Sequence, residues 1–152
     1  ILAKTEPFKR LKVVAEQSNA IALEFETILK GFAVQGNIEL EVGIGDSKRI
    51  INIIEVDANT ISYIDSGLSH ERDRKQLTVG LAIAIYENFM LDTPQNAIGL
   101  AAYLASSSNV NEMVRQKVNE IWQTHSEEVF GTAYPKDLMT DFLQDDYAIT
   151  NP

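Results

Sequence analysis

Residues Ile38–Val56 read IELEVGIGDSKRIINIIEV, and the reading of this stretch decides the fold. Ile38, Leu40, Val42 and Ile44 alternate with Asn37, Glu39, Glu41 and Gly43. A period of two, with carboxylates on the polar side, describes a half-buried strand. The following run, Arg49–Val56, is rich in isoleucine on both faces, as expected of the middle strand of a sheet. Between the two runs lies VGIGDSKR, Val42–Arg49, which is either a ligand-binding loop or the bend of a hairpin.

The ligand-binding versions fail at named positions. A phosphate loop of the G-x-x-x-x-G-K-[ST] kind needs a hydroxyl after its lysine; here Arg49 follows Lys48. A dinucleotide fingerprint needs a third glycine and a helix directly after it; position 48 is Lys, and residues 49–56 read as strand. Gly45-Asp46-Ser47 resembles the nucleophile block of GDSL-type esterases over three residues. The resemblance would require an Asp three residues before a catalytic His. Trp122 precedes His125 at that spacing, and Gly67 precedes His70. The remaining reading is a hairpin turn in which Gly45 is free to take a positive φ.

Outward from this hairpin, the segment after Asp57-Ala58-Asn59 supplies a third strand, Thr60–Ile64, so that residues 37–65 form a three-stranded antiparallel meander. Upstream, Phe8, Leu11, Ala15, Ser18, Ala22, Phe25, Leu29 and Phe32 recur at spacings of three and four, widened by Val14, Ile21 and Ile28. That is a long amphipathic helix over residues 7–32, with Pro7 in its first turn. It would run about 39 Å at 1.5 Å per residue, so either it crosses the whole domain or one end packs on a second copy of the chain.

Downstream, Ser69 is placed to cap a helix over 69–90, apolar nearly all round from Leu77 to Tyr86. Thr93-Pro94 opens a helix over 94–105. Asn109, with Glu112 three residues later, resembles a capping box for a helix over 110–129 that buries Val110, Met113, Val114, Val118, Ile121 and Trp122. Pro135 starts a short helix over 136–144. The expected fold is α+β: a long N-terminal helix, the meander, and a four-helix C-terminal half, with 1–152 taken as a single domain. The first helix and the Leu77–Tyr86 helix should cover one face of the sheet.

Composition narrows the chemistry. The chain has 152 residues, no cysteine and a net charge of −9. Thiol catalysis, disulfides and Cys-ligated metal are therefore excluded, and general binding to nucleic acid or an anionic membrane is disfavoured. The acidity is uneven: residues 37–68 carry six acidic and two basic side chains, and residues 109–152 carry eight and three. No stretch approaches the roughly 20 apolar residues of a membrane span. A cytoplasmic location is the expectation. The periplasm stays open, because the chain starts at Ile1 and the native N-terminus is compatible with an earlier start.

Candidate site residues are few. His70 with Glu71 begins an H-E-x-x-H pattern, but position 74 is Arg, so zinc chemistry fails and a solvated first helical turn is expected. His125 lies on the apolar stripe of its helix, three residues after Trp122, and is the one weak catalytic candidate, with Tyr134 or Glu128 as partners. Glu39 and Glu41 sit about 7 Å apart on one strand face. Asp141, Phe142, Asp145 and Asp146 belong to an acidic, apolar C-terminal segment of the kind that docks on basic partners. No cofactor and no metal site is indicated.

The expected function is a non-enzymatic protein-interaction domain of the inhibitor, immunity or adaptor type. It would use an acidic surface, with Glu39, Glu41, Asp141, Phe142, Asp145 and Asp146 as contacts and a partner that is basic. Two alternatives are a small enzyme with a site around His125 assembled from distant residues, and a domain of a longer protein that forms homo-oligomers through its N-terminal helix.

Overall fold

The computed structural model describes residues 2–131 apart from 44, 45, 47, 108 and 109, with side chains from Lys12 onward. Within them the fold is α+β, with four helices and a four-stranded antiparallel sheet. The chain order is α1 (Leu2–Gln35), β1 (Ile38–Val42), β2 (Arg49–Val56), β3 (Thr60–Asp65), β4 (Leu68–Asp73), α2 (Val79–Phe89), α3 (Pro94–Ala105) and α4 (Glu112–Phe130). The described residues fall into two compact units, one of residues 22–91 and one that joins those before 22 to those after 91.

The long first helix is longer still than its hydrophobic stripe predicts, and it serves both units. Val13, Val14 and Ile21 are buried in its first part, and Phe25, Leu29 and Phe32 in its second. Its stripe runs through Val14 and Ile21, whereas Ala15 is exposed. Gly36, at φ 66°, and Asn37, at φ 26°, turn the chain out of α1. A non-glycine residue tolerates that region best when it is Asn.

In the 22–91 unit the sheet order is β1-β2-β3-β4. Val42 pairs with Arg49, so VGIGDSKR does join two antiparallel neighbours. Ile44, Gly45 and Ser47, including the expectation for Gly45, lie outside the described residues. Asp57 makes the next turn: its carboxylate accepts from the Asn59 and Thr60 N–H groups at 2.8 and 2.7 Å. These donors hold its carboxyl below the usual carboxylate range.

The meander has four strands, not three, and the expected helix over 69–90 starts ten residues late. Asp65 pairs directly with Leu68, which leaves a two-residue turn, Ser66-Gly67. Both turn residues have positive φ, 54° and 81°. That geometry matches the twist of antiparallel strands, so residues 68–73 return as β4. Ser69 therefore caps nothing. The cap is Thr78, whose side chain accepts from the Leu81 N–H at 3.3 Å. All residues from Leu81 to Tyr86 are buried, in keeping with their unbroken apolar run. α2 presses closely on β1: a Cβ on Gly80 would lie 2.9 Å from Val42 Cγ1.

The buried face of the sheet carries Ile38, Leu40, Val42, Ile51, Ile53, Val56, Ile61 and Tyr63. In the same unit, Phe32 of α1 and Phe89 of α2 meet edge to face at 4.9 Å. Arg74, only 8% exposed, ties the unit together just past β4. Its Nη2 and Nε donate to Glu26 of α1 at 2.8 and 3.3 Å. Its Nη1 donates to the Asp57 carbonyl, and its backbone N–H donates to the Asn59 carbonyl at 3.0 Å.

In the other unit α3 follows its expected bounds, with Thr93 accepting from the Asn96 N–H at 3.1 Å and Pro94 in the first turn. α4 is capped by Asn111, not Asn109: the Asn111 side chain accepts from the Val114 N–H at 3.0 Å. Glu112 is thereby the first helical residue and not a capping-box partner, and Met113 is exposed, not buried. α3 and α4 pack against each other, with Val114, Val118, Trp122 and Ser126 buried on α4. The expected helix over 136–144 lies outside the described residues.

Arg74 holds the Glu26 carboxyl below its ordinary value of 4.5, chiefly by direct hydrogen bonding. A depressed carboxylate contributes stability above its unfolded pKa and loses it as pH falls through the folded pKa. Glu26→Gln should therefore cost about 2 kcal/mol near neutral pH. The gap from the parent protein should close as pH drops below 4.5. Urea midpoints at a series of pH values read this directly.

Candidate functional site

The sheet has a second face, and cross-strand register shows what stands on it. Glu39 of β1 pairs with Asn52 of β2, which pairs with Ile64 of β3, which pairs with Ser69 of β4. Glu41 pairs with Ile50, and Glu55 pairs with Ser62, which pairs with Glu71. Thr60 pairs with Asp73. The register shifts between Ile53 and Glu55, which makes Ile54 the extra residue of a bulge.

This arrangement leaves a strip of isoleucines on the outer face. Ile50 is 66% exposed, Ile54 40% and Ile64 36%. Exposed carboxylates stand at its two ends on opposite sides: Glu39 and Glu41 of β1 beside Asn52 and Ile50, and Glu71 and Asp73 of β4 beyond Ser62 and Thr60, with Ser69 beside Ile64 and the exposed Glu55 on β2 itself, next to Ile54. Lys48 approaches Glu41 at 3.5 Å. Arg49 points to the opposite face, where its Nε donates to both oxygens of Asp65 at 2.9 and 2.8 Å. In the middle of the strip, Asn52 Oδ1 is shielded from solvent and accepts no hydrogen bond.

Of the interaction residues expected from sequence, Glu39 and Glu41 thus stand together on this face. Asp141, Phe142, Asp145 and Asp146 lie outside the described residues, as does Tyr134. The three isoleucines, Asn52 and Asp73 are not singled out by the sequence, and Glu71 enters there only beside His70 in the failed zinc pattern. The isoleucines on both faces of β2 were the available signal. His70 is in β4 and not in a helical turn; its ring stacks on Tyr63 with centroids 5.2 Å apart.

His125 is half-buried on α4, and its Nδ1 is shielded without a hydrogen-bond partner. The same is true of Trp122 Nε1 and Ser126 Oγ. Spacings of three and four put all three on one side of the helix. Trp122 is fully buried and packs on Phe130 with ring centroids 5.5 Å apart. Glu128, the expected partner, is exposed. Among the described residues no group of three or more His, Asp or Glu is placed to hold a metal ion, and no helix is long and apolar enough to cross a membrane.

No family model matches the chain, and no curated protein or solved structure matches it.

The unmet groups on α4 make a measurable claim. Removing a buried hydroxyl that has no partner should be favourable, and Ala is also a better helix former than Ser. Ser126→Ala should raise stability by about 1 kcal/mol, read by urea denaturation. A loss of stability instead would mean that the Ser126 hydroxyl is satisfied in solution, by internal water or by a bound molecule.

Proposed function

We propose that the protein is a non-enzymatic interaction domain that offers the outer sheet face of residues 38–73 to a basic protein partner. One observation carries this reading. Isoleucines stand exposed on the central strands of a sheet whose two outer strands carry exposed carboxylates on the same face. Interfaces are built in this way, with an apolar centre that gives affinity and a charged rim that gives selectivity and encounter rate. The solvated side of an ordinary antiparallel sheet carries polar residues at its centre instead. The acid rim selects partners of positive charge and repels anionic surfaces such as membranes and nucleic acids.

A second reading has its own support. Trp122, His125 and Ser126 present three unmet polar groups on one side of α4, which suits a small polar ligand. It ranks behind the first because the carboxylate chosen to assist His125, Glu128, is exposed to solvent.

The test is affinity capture from source lysate by the parent protein and by Glu39→Lys/Glu41→Lys, which reverses one side of the rim. Exposed substitutions of this kind leave stability nearly unchanged. The parent should retain a basic partner that salt elutes, and the variant should bind it at least about tenfold more weakly. Equal retention by both proteins, or a partner held without dependence on salt, would sink the proposal.

A further inference from the structure

We infer that the element docking on this face is an amphipathic α-helix of the partner, with its apolar stripe bordered on both sides by Lys or Arg. The inference rests on the preceding reading of the outer face and adds the shape of the element that covers it.

The dimensions select a helix. From Ile50 to Ile54 the strip runs about 13 Å along β2, at roughly 3.3 Å per residue. The acids on β1 and β4 are three strand spacings apart, about 14 Å. A helix with its side chains is about 10–12 Å across. Lying over β2 and β3, it would cover the isoleucines and bring one flank to Glu39 and Glu41 near one end and the other flank to Glu71 and Asp73 near the other. About nine residues of helix span the strip, so anchors at i, i+4 and i+7 of one face meet Ile50, the Asn52–Ile64 pair and Ile54. Asn52, half-buried and paired with Ile64, lies at the middle anchor, where a polar residue such as Gln suits the helix better than an apolar one.

Other occupants fit less well. A strand added to the edge at β1 or β4 would leave the isoleucines uncovered. Its pairing at β4 would also meet the charged run His70-Glu71-Arg72-Asp73, a sequence that protects an edge. A second copy of the chain set face to face would oppose like-charged rims.

The probe is a synthetic peptide of about five helical turns, with Leu at the anchors, Gln at the middle position and Lys on both flanks. Its control has the same composition, permuted so that no helical face is apolar. Binding is measured by fluorescence anisotropy and peptide helicity by circular dichroism. The proteins are the full chain and Ile50→Ser/Ile64→Ser, with folding of the variant checked by its urea midpoint. The inference expects the amphipathic peptide to gain helicity on binding and to bind the parent at least about tenfold more tightly than either the permuted peptide or the variant allows.

Equal binding of both peptides, lost in the variant, overturns the helix and leaves the basic-partner reading standing. Binding that ignores the variant overturns both. No binding of the amphipathic peptide at low salt overturns the helix, and the capture experiment then decides the broader reading on its own.

Discussion

A four-stranded sheet has two faces, and residues 22–91 supply helices for one. That constraint governs what the 22–91 unit can do. The covered face takes Leu40, Ile51, Ile53 and Ile61 out of water almost completely, and burial of this kind is the main favourable term in folding. The other face must then be polar, or be covered by something else. Its flanks obey the first rule, with Glu39, Glu41, Glu71 and Asp73. Its centre obeys them only in part: Asn52, Glu55 and Ser62 are polar, but Ile50, Ile54 and Ile64 keep substantial contact with solvent. The functional reading rests on that mismatch.

Arg74 shows how the covered face is kept in register with its helix. A guanidinium offers five donors in a fixed plane, and here they are divided between a carboxylate on α1 and a carbonyl in the β2–β3 turn. Burying such a charge is unfavourable unless it is paired and hydrogen-bonded. The same residue therefore locks the helix, the turn and the end of β4 as a single arrangement. In sequence Arg74 is one cation in SHERDRKQ, a string that looks like a solvated helical turn. Only the fold separates it from Arg72, which is exposed, or brings Glu26 to it from 48 positions away.

Much of the architecture was legible because it obeys local rules. Thr93-Pro94 announces α3, the apolar run Leu77–Tyr86 announces a buried helix, and the alternation Ile38-Glu39-Leu40-Glu41-Val42 announces a strand with one buried face. β4 was not legible. Its residues, Leu-Ser-His-Glu-Arg-Asp, are exposed or half-buried throughout, with no apolar alternation to reveal a strand. The informative signal was the Ser66-Gly67 pair, which reverses the chain within two residues. The candidate site was half legible. Glu39 and Glu41 were found as paired carboxylates, but their counterparts on β4 were hidden by the mistaken helix. The exposure of Ile50 and Ile54 was hidden because a central strand is expected to be covered on both sides.

The two places where polar groups lack partners differ in kind. On α4, Trp122 and Ser126 are fully enclosed, so only a molecule small enough to enter a packed interior could reach them, and internal water meets that requirement at many such places. Asn52 stands instead on an outer face, between Glu39 of β1 and the exposed Ile64 of β3. One partner lying across that face can remove the isoleucines from water and neutralise the acids at once. Both contacts favour the same occupant, and this agreement between packing and charge makes the outer sheet face the stronger candidate for the protein's function.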